Sequence, residues 1–318
     1  MAMRADDLID RRRLRRKLTF WRVAAFLVLA AAVIGFSSWI YGGDFTGQAV
    51  DHIAKVRIEG TITEDEGLIK RLEDIRKSPR VKGVILSIDS PGGTTVGGES
   101  IYEEVRKVAG DKPVVAEVGT LAASAGYMIA SAADHIVARK TSIVGSIGVL
   151  IQYPDVSGLM DKLGIKLEEV KSSPLKASPS PFKPTTDDER TMVRKPILDS
   201  YDWFVGIVAE RRKMTHEQAL ALADGSIFTG RQGLTNGLVD AVGGETEAID
   251  WLATKGVDGK LKVIEWKDSE RRGGFLFSKT MVKAAANALG LPDAGGDVIR
   301  ELGADRLFLD GLVSVWHP

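Results

Sequence analysis

Residues 120–135 read TLAASAGYMIASAADH and place Ser124 among alanines and a glycine, where a strand gives way to an apolar helical stretch. A serine hydroxyl is a weak nucleophile until a base takes its proton. The usual base is histidine, and the chain holds four: His52, His135, His216 and His317. His135 heads a strand directly after Ala133-Asp134 and is expected to pack structurally. His52 opens the first strand and His317 is penultimate, and neither has an acidic partner at motif spacing. A lysine can replace histidine if it is neutral. That requires burial to lower its pKa from ~10.4 to ~7–8, at about 1.36 kcal/mol per unit. Ser-Lys pairs are a known variant of nucleophilic catalysis. The candidates are Lys176 and Lys183, in KSSPLKASPSPFKP (171–184), and Lys195; spacing alone does not choose among them. The bland reading is that Ser124 caps a helix and the lysines are solvated loop charges.

A second constellation is DSPGG (89–93), directly after the apolar run 81–88. Proline followed by two glycines lets backbone approach a ligand and turn its N–H groups outward. The simpler alternative is a strand-to-helix turn. Position favours a site, because ligands of α/β sheets bind beyond the carboxyl ends of strands. Gly92 and Gly93 are therefore candidate donors to a developing oxyanion, an interaction worth roughly a few kcal/mol of barrier. No H-E-x-x-H, DxDxDG or Walker pattern occurs, so no cofactor and no metal are expected.

The elements that must position these groups alternate along the chain. Strands are predicted over 53–60, 81–89, 113–119, 135–140, 146–154 and 261–266. Helices are predicted over 67–78, 97–109, 122–132, 157–164 and from Asp187 to about Arg212, with short glycine-broken helices in HEQALALADG and TGRQGLTNGLVDAVGG. Ser172–Thr186 reads as a Pro/Ser-rich loop. Such alternation implies an α/β domain built from crossover units. The residues after Lys260 carry, apart from LKVIEW, little pattern.

The 318 residues hold 43 Lys+Arg and 43 Asp+Glu, a balance that gives nucleic acid no basic footprint. With no cysteine, disulfides, thiolate metal sites and a cysteine nucleophile are excluded. RRRLRRK (11–17) precedes a run without charge from Val23 to Gly43, about the length that crosses a bilayer core. Trp21, Trp39 and Tyr41 stand near its ends, where amphipathic rings favour the headgroups. The organisation expected is a basic cytoplasmic segment (1–22), a transmembrane anchor through the lipid bilayer (23–43), an α/β domain (44–260) and an extension of unassigned role (261–318). The basic cluster keeps the N-terminus cytoplasmic, which in a bacterial inner membrane puts the domain on the periplasmic or outer side.

Taken in order, DSPGG, TLAASAGYMIA, GSIGV and KSSPLK…SPFKPTTDDER resemble the short, single-unit form of signal peptide peptidase A over about residues 50–250. That family comprises membrane-anchored serine proteases on the ClpP/crotonase superfold, built from repeated β-β-α units. The resemblance implies Ser124 as nucleophile, Lys176 as general base from the S-G-x-x-K pattern, and Ser146 of GSIGV as the hydroxyl that orients the proton. It places Gly93, with Gly92 beside it, at the oxyanion hole. Ser173 stands where that pattern has glycine, and Ala125 follows the nucleophile where glycine is common. It further implies peptide substrates, signal peptides left after secretion among them, and a ring-like homo-oligomer that shares its sites between protomers. The competing readings are an acyl-CoA hydratase or isomerase on the same superfold, which needs neither the Ser-Lys pair nor an anchor, and an inactive anchored scaffold.

Overall fold

The computed structural model of the protein describes residues 18–33, 48–267 and 313–315. Residues Met1–Asp51 and His52–Pro318 form separate units. In the first, residues 18–33 form helix α1, whose apolar side chains Phe20, Trp21, Phe26, Leu27 and Leu29 are exposed. Of the expected anchor over 23–43, residues 23–33 are thus helical and residues 34–43 lie outside the described residues. Among the described residues no helix is long and apolar enough to cross a membrane.

Among the described residues, the second unit is one mixed sheet of nine strands with helices on its faces. Its centre is β1 (His52–Ile62), β2 (Val81–Thr94) and β3 (Val114–Ala123), mutually parallel and linked by helices α2 (Glu66–Lys77) and α3 (Thr95–Asp111). Along β2, Val84, Leu86 and Ile88 enter the larger core and Ile85 enters a smaller one on the opposite face. This is why the sequence runs apolar without alternation: a central parallel strand is covered on both faces. α2 begins at Asp65, whose carboxylate accepts from the Leu68 N–H at 2.8 Å, and buries Leu68, Leu72 and Ile75 at helical spacing.

Beyond β3, helix α4 (Ala125–Ala132) leads to β4 (His135–Ala138), which pairs with the first half of β3. β5 (Ile143–Gly145) pairs with the last three residues of β3, Leu121–Ala123. Helix α5 (Ser157–Leu163) and a long loop follow, then α6 (Asp187–Arg211) and α7 (His216–Ala221). β6 (Ile227–Thr229), α8 (Gly230–Asn236), β7 (Ala241–Val242), α9 (Glu245–Thr254) and β8 (Val263–Glu265) complete the edges, and β9 (Val313–Val315) pairs with the end of β2.

Three expectations change. Ala122 and Ala123 belong to β3, not to the helix that follows, because both pair with β5 and Ala122 also pairs with Ser90. The strand expected over 146–154 lies three residues earlier, at Ile143–Gly145, and the apolar stretch after it lines a cavity instead of joining the sheet. Helix α9 was not foreseen. It buries Ala248 and Leu252 against the sheet's second face, and Glu245 binds the Lys55 amine at 2.6 Å while Glu117 holds that amine at 3.0 Å.

Candidate active site

Ser124 is the corner between β3 and α4, and its backbone sits at φ 57°, ψ −120°. A non-glycine residue in that region is strained by roughly 1–3 kcal/mol, so surrounding structure must hold it there. The Ser124 N–H donates to the Gly145 carbonyl at 2.8 Å, and the Met128 N–H donates to the Ser124 carbonyl at 2.9 Å. Every residue of α4 is buried. Tyr127 fixes the helix by donating its hydroxyl to the Leu238 carbonyl at 2.8 Å, and burial pushes its pKa up, which keeps it a phenol. The side chain of Ser124 makes no capping bond to the helix, which removes the bland reading of this residue.

The small residues around Ser124 have a packing reason that sequence alone did not give. A Cβ on Gly126 would meet the Ser90 carbonyl oxygen at 2.9 Å, and one on Gly98 would meet Ala125 Cβ and Met128 Sδ at 3.1 Å. The first turn of α4 is thus wedged between the end of β2 and the start of α3. That wedge brings DSPGG beside the serine; the stretch continues β2 instead of turning, with Gly92 and Gly93 paired to Thr61 and Ile62 of β1.

Within that strand end, Ser90 donates its hydroxyl to the Gly60 carbonyl at 2.6 Å and accepts from the Gly92 N–H at 3.1 Å. Gly92 takes φ 106°, a conformation favourable only to glycine. At Gly93 no side chain fits, because a Cβ would lie 1.8 Å from the Ile62 carbonyl oxygen.

Ser146 also has positive φ, at 51°, and its N–H donates to the Ser226 carbonyl at 2.8 Å. Because Ser124 bonds to Gly145, the residue before Ser146, the two serines are brought to one place. Both line a cavity of about 420 Å³ whose other walls include Ile147, Leu150, Leu198 and Tyr201. The lining is mainly apolar, with Asp224 as its one charged residue, and is suited to an apolar or basic side chain of an extended peptide.

The lysines lie elsewhere. Lys183 is bound to Glu169 at 3.5 Å and Glu189 at 3.2 Å, and the Glu189 carboxylate raises its pKa, which disqualifies it as a base. Lys176 and Lys195 are exposed, line no part of this cavity and make no ion pair among the described residues. Histidine is absent from the lining as well. His52 accepts from the Trp266 indole N–H at 3.0 Å, His135 stacks on Trp251 at 5.0 Å, and His216 faces Asp202 at 3.5 Å. His317 lies outside the described residues.

The loop that carries Lys176 is tied down at its far end. Thr186 caps α6 with a reciprocal box: Glu189 accepts from the Thr186 N–H at 2.9 Å and the Thr186 hydroxyl accepts from the Glu189 N–H at 3.3 Å. The Thr186 N–H, together with Lys183, holds the Glu189 carboxyl at about 2, below its ordinary 4.5. A depressed carboxyl stabilises the folded loop above pH 4.5, and that contribution is lost as pH falls toward 2. Carbon-13 NMR of the Glu189 side chain should therefore titrate with a midpoint near 2, and Glu189→Gln should abolish that titration and speed exchange of the Thr186 amide. A midpoint near 4.5 would show that the cap does not form in solution.

A mixed sheet whose parallel centre delivers a positive-φ serine into a mainly apolar cavity, beside two glycines at the end of the neighbouring strand, defines a ClpP-like peptidase architecture. The sequence matches the Clp protease family over residues 51–154 and peptidase family S49 over residues 106–258, the two overlapping across Ser124 and Ser146. The chain belongs to peptidase family S49, the family of signal peptide peptidase SppA. It is 40% identical over 207 residues to a Methanocaldococcus jannaschii protein that carries a protease name, covering 65% of this chain and 67% of that one. A Synechocystis protein, also named as a protease, is 35% identical over 204 residues, 64% of this chain and 73% of its own. A protein of Enterococcus faecium named as signal peptide peptidase SppA is 35% identical over 214 residues, 67% of this chain and 62% of its own.

Proposed function

We propose that the protein is a serine endopeptidase in which Ser124 is the nucleophile and Lys176 of a neighbouring copy is the base. The observation that carries this reading is the strained corner at Ser124, held by the Gly145 carbonyl and opening onto the cavity shared with Ser146. The Ser124 Oγ attacks a peptide carbonyl carbon while its proton passes to the neutral Lys176 amine. The Ser146 hydroxyl orients that amine. The carbonyl electron pair moves to the oxygen, which the Gly93 N–H stabilises, with Gly92 locked behind it by Ser90. The amine leaving group takes the proton from Lys176, and water then releases the acyl group from Ser124 by the same route.

Sharing between copies is supported by the exposed apolar side chains along residues 157–182, the segment that contains Lys176. α5 has no buried residue, and Leu159, Leu163, Ile165, Leu167, Val170, Leu175 and Phe182 are all exposed. So dense an apolar surface marks an interface. A second copy covering it would dry the lysine, as a neutral amine requires. The result is a homo-oligomeric ring with its active sites inside, reached by extended peptides such as signal peptides left after secretion.

The uncharged run 23–43, together with the exposed apolar face of residues 18–33, supports attachment to a bacterial inner membrane, with the catalytic unit on the periplasmic or outer side. The test is a fluorophosphonate probe followed by peptide mapping, alongside cleavage of an unfolded peptide. Labelling at Ser124 with cleavage is expected; labelling elsewhere, or binding to immobilised CoA without cleavage, would overturn the reading.

A further inference from the structure

The cavity beside Ser124 carries one charge that the catalytic reading does not use. Among the described residues that line it, that charge is Asp224, which is exposed at its rim. The carboxylate is built into place. It accepts from the Ser226 N–H at 2.9 Å, across Gly225 at φ 86°, a turn that favours glycine at its centre. On one side of this turn the Tyr201 hydroxyl donates to the Ala223 carbonyl at 2.7 Å. On the other, the Ser226 carbonyl accepts from the Ser146 N–H at 2.8 Å. The turn is thus tied both to α6 and to the serine that shares the cavity with Ser124. Hydrogen bonds from Ser226 hold the Asp224 carboxyl below its ordinary range, so it is ionised at neutral pH. It makes no ion pair among the described residues.

A fixed carboxylate at the rim of an apolar cavity complements a side chain with an apolar stem and a cationic head. Ile147, Leu150 and Leu198 offer surface to the methylenes, and Asp224 can receive the ammonium or guanidinium. We infer that Asp224 makes this cavity select lysine or arginine in the substrate residue next to the bond that Ser124 cuts. The inference rests on the protease reading above and adds the class of peptide that is cut. A neutral side chain of equal length fills the apolar part and leaves the carboxylate without a cation, and an acidic one meets a like charge.

The test uses an alanine–serine decapeptide with lysine, norleucine or glutamate at one position, its cut mapped by mass spectrometry. Cutting beside lysine should exceed cutting beside norleucine about tenfold in kcat/KM, the size of one hydrogen bond to a charged group. Glutamate should be the poorest of the three. In Asp224→Asn the lysine-to-norleucine ratio should fall to about one, because the amide oxygen still accepts from Ser226 while the charge is gone. A ratio near one in the parent, or one unchanged in Asp224→Asn, would overturn the proposal. The parent alone gives a second reading: raising NaCl from about 50 to about 500 mM should cut its ratio about threefold, since the ion pair lies at an exposed rim. A ratio indifferent to salt would equally overturn it.

A binding arm is independent of hydrolysis. A Ser124→Ala chain should bind the fluorescein-labelled lysine peptide about tenfold more tightly than the norleucine peptide. Equal binding of the two would overturn the proposal. Hydrolysis without preference for lysine would sink this inference and leave the protease reading standing. Lysine-selective binding with no hydrolysis by the parent would instead refute the protease reading and leave the cation site.

Discussion

Ser124→Ala yields a folded protein that cleaves no peptide above background. Removal of a serine nucleophile in a comparable machinery costs about 10⁶-fold in kcat, because the remaining groups act only around the acyl transfer it performs. The fold is retained because alanine adds no volume at a corner whose backbone is set by the Gly145 carbonyl and by the buried helix behind it. A change in stability of about 1 kcal/mol or less is expected for the lost hydroxyl. The two quantities must be measured together, by kcat on an unfolded peptide and by thermal melting. Retention of activity within tenfold of the parent would remove Ser124 from the chemistry. An inactive variant that also melts far below the parent would leave the role of the hydroxyl open to a structural explanation, which is why fluorophosphonate labelling accompanies it.

The second large effect is at Lys176. Lys176→Ala and Lys176→Arg should both be as inactive as the serine variant, since guanidinium stays protonated and cannot accept the hydroxyl proton. Neither change should disturb the fold, because the side chain is exposed and makes no ion pair among the described residues. Co-assembly separates a base supplied in trans from one supplied in cis. Ser124→Ala and Lys176→Ala chains, each inactive alone, should regain a measurable share of parental activity when mixed, because some interfaces pair an intact serine with an intact lysine. No recovery in mixed oligomers verified by mass spectrometry would place both groups within one chain. Activity in Lys176→Ala with loss in Lys195→Ala would move the base onto α6, which already lines the cavity through Leu198 and Tyr201.

The sequence carried the central sheet and the corner at Ser124 further than it carried the edges. Continuous apolar runs such as VKGVILSID are legible because a strand buried on both faces needs no alternation. Ala122 and Ala123 misled because alanine favours helix in isolation, and only pairing with Ser90, Val144 and Gly145 reveals them as strand. GSIGVLIQYP misled differently. Its branched residues favour a strand, but Ser146 at positive φ turns the chain out of the sheet so that Ile147–Leu150 can wall the cavity. β6, β7 and β9 are two or three residues long and exist through their partners alone, so no local pattern announces them. Of the site, residue types marked the serine, the glycine pair and three lysines. Geometry then set Lys183 aside through its carboxylate partners and supplied a second reason for the small residues, the close passage of α3 and β2 against α4.

The burial of α4 sets where this protein can change. Ser124 stands at the head of a helix with no solvent-facing residue, pinned by Tyr127 to Leu238, so its setting cannot be altered without recasting the interior. The proposed base, Lys176, sits on a surface loop that is held by the Val156 N–H on the Pro181 carbonyl at 2.8 Å, by Tyr153 on Thr185 at 3.1 Å and by the cap at Thr186 and Glu189. Descendants of this chain can therefore lengthen, shorten or rewrite the exposed residues of 172–185 around Lys176 while the buried helix stays untouched. The division makes the loop the evolvable part of the enzyme and the helix its heritable constant.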